Sequence, residues 1–171
     1  MHGDAFLQET LGAMDMVFSL ARRLTRDHGA AEDLVQETYL RAYEAWTKQR
    51  RPDRVEPWLA TICLNVARSE FRRRSRRPAE ILDANAGAFS WSPSDTEEEA
   101  IRGVRSEIVQ RAMMQLPEEQ RIAIALVDLC GFTASEVAKI MRSPRGTVLS
   151  RVHRGRKALA AKVKKEAPHG S

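Results

Sequence analysis

The sequence is short of the residues that build sheets, disulfide frameworks and membrane spans. Aromatics make up only 6% of its 171 residues, so a core has to be assembled from Leu, Val, Ile, Ala and Met. Nine Gly and seven Pro leave few turns. No run alternates Val, Thr or Tyr with polar residues, which argues against strands and for an all-α fold. No apolar run reaches the roughly 20 residues that a membrane-spanning helix needs, and no signal peptide stands out, so membrane insertion is not expected and the expected location is the cytoplasm. The two cysteines, Cys63 and Cys130, lie far apart in apolar helical patterns. They read as buried free thiols of a reducing compartment, not as a disulfide or a metal site. His2, His28, His153 and His169 show no ligand spacing, so neither a metal nor another cofactor is expected. Nor is an enzyme: there is no Gly-rich phosphate loop, no His-Cys-Asp set, and no nucleophile beside a base.

What the chain does have is helical periodicity and positive charge placed unevenly. Its net charge is +5, which is modest evidence for a polyanionic partner. The stretch 131–159, GFTASEVAKIMRSPRGTVLSRVHRGRKAL, carries more information. Thr133 can cap a helix, with Glu136 completing a capping box. Val137, Ile140 and Met141 follow at helical spacing. Ser143 and Pro144 restart the chain as N-cap and first helical residue. The second helix carries Arg145, Arg151, Arg154, Arg156 and Lys157 without an acid, and leaves Val148, Val152 and Leu159 to face its partner. A capped short helix, a tight turn and a basic second helix form the pattern of a helix-turn-helix, whose second helix enters the DNA major groove.

Upstream, Leu7, Leu11, Met14, Phe18 and Ala21 predict one helix over 6–25, with Gly29 placed for a left-handed stop after it. A second helix over 30–46 has a core stripe of Val35, Tyr39, Ala42 and Trp46. Asp33, Gln36, Glu37 and Leu40 form another face of it, which is either solvated or a protein-docking surface. Pro57 opens a third helix, whose apolar side is Trp58, Ile62, Val66 and Phe71. Six arginines follow between Arg68 and Arg77. The helix dipole accounts for one or two of these cations, and the run suggests a surface that tracks phosphates. Asn65, in the same helix, can meet a base edge or simply face solvent.

From Pro78 to Gly103 the composition turns to Ala, Gly, Ser and Pro with an acidic run, Asp95, Glu97, Glu98 and Glu99. It reads as a linker that becomes helical near Glu97. A second helical unit follows. Ile108, Ala112 and Met113 form an apolar side, Pro117 restarts the chain, and IAIALVDL marks the centre of a second small core. The expected organisation is therefore a first domain over 1–78, a linker over 79–103, and a helix-turn-helix domain over 104–167.

These segments, in this order, resemble the ECF-type (extracytoplasmic-function, group IV) sigma-70 factors. AEDLVQETYLRAYEAW is similar to the helix by which that family binds the β′ clamp helices of core RNA polymerase. PWLATICLNVARSEFRRRSRRP is similar to its −10 helix, and the stretch from LPEEQR to RGRKAL to its −35 domain. The resemblance implies a promoter-specificity subunit that binds core polymerase through the β′ clamp and the β flap, reads promoter DNA and helps to melt it. It also implies control by an anti-sigma factor. It places Asp33, Gln36, Glu37 and Leu40 on the clamp. The loop 49–55 would capture a flipped base, with Asn65, Arg68, Arg72 and Arg73 on the −10 strand. Arg145, Thr147, Ser150, Arg151, His153 and Arg154 would contact the −35 element, with Arg156 and Lys157 on phosphates. The family often has Gly where Arg142 stands, so a left-handed turn here puts strain on Arg142. A stand-alone helix-turn-helix regulator leaves the Asp33 face and the second arginine helix without a role.

Overall fold

The computed structural model describes residues 1–76 and 97–167, and these contain no strand. The first half comprises α1 (His2–Thr10), a 3-10 turn (Leu11–Ala13), α2 (Met14–Leu24), α3 (His28–Thr47) and α4 (Val55–Ser75). The second comprises α5 (Glu97–Met114), α6 (Glu118–Ile124), a π-helical turn (Ala125–Leu129), α7 (Ala134–Met141) and α8 (Arg145–Glu166). Helix α5 starts at Glu97, where the expected linker turns helical. Residues 77–96, most of the expected linker, lie outside the described residues.

The helix expected over 6–25 is broken. Tyr39 donates its hydroxyl to the Thr10 carbonyl at 2.9 Å, and the chain tightens there into the 3-10 turn. The break shifts the buried line to Phe6, Thr10, Ala13, Val17, Leu20 and Ala21, leaving Leu7, Leu11 and Met14 exposed. Gly29 does not stop a helix. Asp27 accepts the Ala30 N–H at 2.7 Å and caps α3, so Gly29 falls in the first turn of α3. The inward line of α3 is Ala31, Leu34, Thr38, Ala42 and Trp46, with Val35 and Tyr39 half-buried. The Phe6 ring sits edge-on to Tyr39, Tyr43 and Trp46, which adds directional contacts to the apolar burial. Helix α4 starts two residues before Pro57, which its first turn tolerates. Leu59, Ala60, Cys63, Leu64 and Val66 point inward; Trp58 and Ile62 are half-buried, and Phe71 is exposed.

The buried side chains of both halves form one connected cluster, not two separate small cores. Each large side chain in it stabilises the fold by about 1.5–3 kcal/mol relative to exposure. The polar centre of the junction is Gln110 of α5, only 6% exposed. Its amide nitrogen donates to the Arg22 carbonyl at 2.6 Å and the Thr25 carbonyl at 3.0 Å. Its oxygen accepts from Arg23 at 2.8 Å. Both polar ends of a buried amide are thus satisfied, as burial requires. Burial, aided by the neighbouring Arg22 charge, holds the Arg23 pKa below its ordinary value. Among the described residues, no helix is long and apolar enough to cross a membrane.

Candidate nucleic-acid interface

Helices α7 and α8 meet at the turn that the sequence singles out. The capping box is formed: the Glu136 N–H donates to Thr133 Oγ1 at 3.1 Å, and the Thr133 N–H donates to Glu136 Oε1 at 3.1 Å. The Thr133 N–H is the main reason that the Glu136 carboxyl titrates below its ordinary value, with Arg54 adding to it. Arg54, just before α4, also bonds Glu136, so the capping box is tied to the first half. Arg142 closes α7 at φ 52° and ψ 48°, a left-handed conformation. The Ser143 N–H returns to the Ala138 carbonyl at 3.0 Å, as a left-handed helix end requires. The restart comes one residue later than expected. Pro144 occupies the N-cap position and makes no side-chain cap bond. The Ser143 hydroxyl instead accepts Arg151 Nη1 at 3.0 Å.

Helix α8 is locked in rotation. Val148, Val152 and Gly155 are buried. A Cβ added at Gly155 would lie 2.5 Å from Ile124 Cδ1, so the Ile124 side chain of α6 packs directly on the α8 backbone. That seating turns Arg145, Ser150, His153, Arg154 and Lys157 to solvent, with Thr147 half-buried. Arg151 is turned toward the protein, where it pairs with Glu119 at 3.2 Å besides bonding Ser143. Arg156 is exposed and held in a two-pronged bond to Asp128, which raises its pKa. The strip therefore combines free cations with two arginines that have internal partners. Leu149, which the sequence reading passed over, is 45% exposed on the same side of α8.

On α4, Asn65 and Arg72 are exposed. Arg73 pairs with Glu70 at 3.2 Å. Arg68 is half-buried and pairs with Glu119 of α6 at 3.0 Å. A cavity of about 300 Å³ opens beside Asn65, walled by Arg41, Arg50, Trp58, Ile62 and Ser69. It combines an amide that can meet a base edge, an indole wall and two guanidinium groups. The loop 49–55 lies at its rim. Gln49 is left-handed at φ 59°, and the Arg51 guanidinium stacks 4.7 Å over the Trp46 ring.

Asp33, Gln36 and Leu40 of α3 are exposed, Leu40 by 60%. Glu37 is half-exposed and accepts from Arg41 at 2.8 Å. This face adjoins a groove of about 620 Å³ between the halves, with Leu34, Val66, Phe71, Met114 and Leu116 in its walls. The two thiols stand apart from these surfaces; Cys63 is buried as expected, whereas Cys130 is only half-buried. Desolvation pushes Cys63 up to about 12 and Cys130 up to about 11.

Residues 13–77 match the sigma-70 region 2 model, and residues 106–159 match the sigma-70 region 4 model. The chain is 32% identical to the RNA polymerase sigma-H factor of Pseudomonas aeruginosa, over 84% of this chain and 78% of that one. It is 32% identical to the ECF RNA polymerase sigma factor EcfG of Rhodopseudomonas palustris, over 92% and 84%. With the ECF RNA polymerase sigma-E factor of Escherichia coli K12 it shares 34% identity over 79% and 74%. Among solved structures, it is similar to the sigma factor RpoE of Bartonella quintana, crystallised with the anti-sigma factor NepR. That match has a TM-score of 0.75 and 28% identity, covering 95% of this chain and 99% of the other. CnrH, solved with the cytosolic domain of CnrY, shares the fold at a TM-score of 0.68 and 21% identity, over 96% and 91%.

Proposed function

This chain belongs to the ECF branch of the sigma-70 family of RNA polymerase sigma factors, and on that premise we propose how its surfaces divide the work of initiation. The chain is a promoter-specific initiation factor and not an enzyme. Asp33, Gln36, Glu37 and Leu40 dock on the β′ clamp helices of core RNA polymerase. In support, this helix face is exposed and mixes acids, an amide and a leucine at helical spacing. The second half engages the β flap and carries the −35 contacts: Arg145, Thr147, Ser150, Arg151, His153 and Arg154 toward bases, Arg156 and Lys157 toward phosphates. Asn65, Arg68, Arg72 and Arg73 hold the melted −10 strand. A base extruded from the stack enters the cavity beside Asn65, where Trp58 and the guanidinium groups receive it. An anti-sigma factor silences the protein, consistent with the similar RpoE having been crystallised with one. The protein acts in the cytoplasm, where polymerase and promoter meet.

The observation that carries this reading is the pairing of an exposed basic helix on one half with a base-sized, amide-bearing cavity on the other. A regulator that binds only duplex DNA has no use for such a cavity. Run-off transcription with core polymerase tests it. Wild type supports promoter-dependent transcripts, whereas the Gln36→Ala, Glu37→Lys double variant is pulled down poorly by core enzyme and initiates weakly. Equal binding by wild type and the double variant would sink the clamp assignment.

A further inference from the structure

We propose that Leu149 is a specificity-determining residue of the −35 contact, and that it reads the C5-methyl group of a thymine. The inference rests on the reading of α8 as the major-groove helix and adds a base identity to it. Leu149 is the fifth residue of α8, in the N-terminal part of the helix, where a recognition helix meets base edges. Its orientation is fixed. Val148 and Val152 are buried, and the packing of Ile124 on Gly155 prevents α8 from rolling to hide the leucine. Arg145 and His153, one turn to either side, share its face and are exposed.

A lone exposed leucine is ordinary on a protein surface. Here it sits among charged and polar side chains that have hydrogen bonds to offer. Leu149 has none, so it cannot select a base by donors or acceptors. In the major groove the apolar feature that distinguishes one base from the others is the thymine methyl. Once α8 is docked, a leucine placed against a base lacking that methyl loses water without gaining a contact.

The test uses the full chain with core polymerase on a promoter library randomised across the −35 element, with transcribed templates sequenced. Wild type is expected to prefer thymine at one position, and Leu149→Ala to lose the preference there while keeping its choices elsewhere. Replacing that thymine with deoxyuridine removes only the methyl. Transcription by wild type should then fall about fourfold, the effect of losing one buried methyl group, and transcription by Leu149→Ala should not change. If wild type shows −35 preferences but is indifferent to deoxyuridine at every position, the leucine proposal is overturned and the groove reading stands. If no −35 base is preferred at all, the groove reading falls and takes the proposal with it.

Discussion

Arg68 of α4 and Glu119 of α6 pair at 3.0 Å across the junction between the halves. Arg151 of α8 reaches the same carboxylate at 3.2 Å. One acid thus draws together an arginine from each half. These groups are partly exposed, so each pair stabilises the closed arrangement by only ~0.2–1 kcal/mol, and salt weakens it. Glu119→Gln should therefore lower stability by about 1 kcal/mol, by a margin that shrinks as salt rises. Urea denaturation of the two proteins across a salt series checks this. Equal stability at low salt would show that Glu119 does not help to hold the halves together.

Gly155→Ala should destabilise the second half. The new methyl would lie 2.5 Å from Ile124 Cδ1 and 3.1 Å from Ile124 Cγ1. Overpacking of this kind costs about 1–3 kcal/mol. Ile124→Val removes the nearer carbon, so the double variant should recover part of the loss, and a double-mutant cycle by urea denaturation measures the coupling. Strict additivity would mean that the contact with Ile124 is not what makes Gly155 necessary.

Arg142 holds a left-handed conformation that costs a side-chain-bearing residue roughly 1–2 kcal/mol. Glycine removes that cost but gives back part of it through a freer unfolded chain. Arg142→Gly should therefore raise stability by about 0.5–1 kcal/mol, and the β-branched Arg142→Val should lower it. Thermal melts of the three proteins rank them, and a less stable glycine variant would remove strain as the account of this turn.

Alkaline stability follows from the thiols. Cys63 titrates near 9.0 when free and is pushed up to about 12 by burial in the fold; Cys130 rises to about 11. The folded state thus holds these protons more tightly than the unfolded one. Their contribution is complete below pH 9 and is lost as pH rises through 11 to 12. Cys63→Ala should flatten the fall of the denaturation midpoint in this window. At neutral pH native Cys63 should react slowly with a disulfide reagent and rapidly after unfolding. Fast reaction of Cys63 in the native state would contradict its burial.

Much of the architecture was legible in the residues. The Thr133–Glu136 capping box forms as its spacing demands, and the apolar sides of α5, α7 and α8 turn inward where periodicity places them. Arg142 adopts the left-handed conformation that the family resemblance, not the local pattern, raised for its position. What escaped the sequence depends on partners distant in the chain. The break at 11–13 answers to a tyrosine hydroxyl 29 residues from Thr10. The pairing of Arg68 with Glu119 spans 51 positions, and no local pattern marks it. Leu149 was hidden by its own apolarity, which reads as core until the rotation of α8 is known.

Gln110 settles more than a junction. Two of its three bonds go to main-chain carbonyls at the end of α2, those of Arg22 and Thr25, and every residue carries such a carbonyl. The amide therefore recognises where a helix stops rather than which residues end it. Substitutions at the surface of α2 can accumulate without unfastening the halves, whereas adding or deleting one residue before Thr25 would rotate both acceptors out of reach. Along this seam, the spacing of the chain is held more strictly than its spelling.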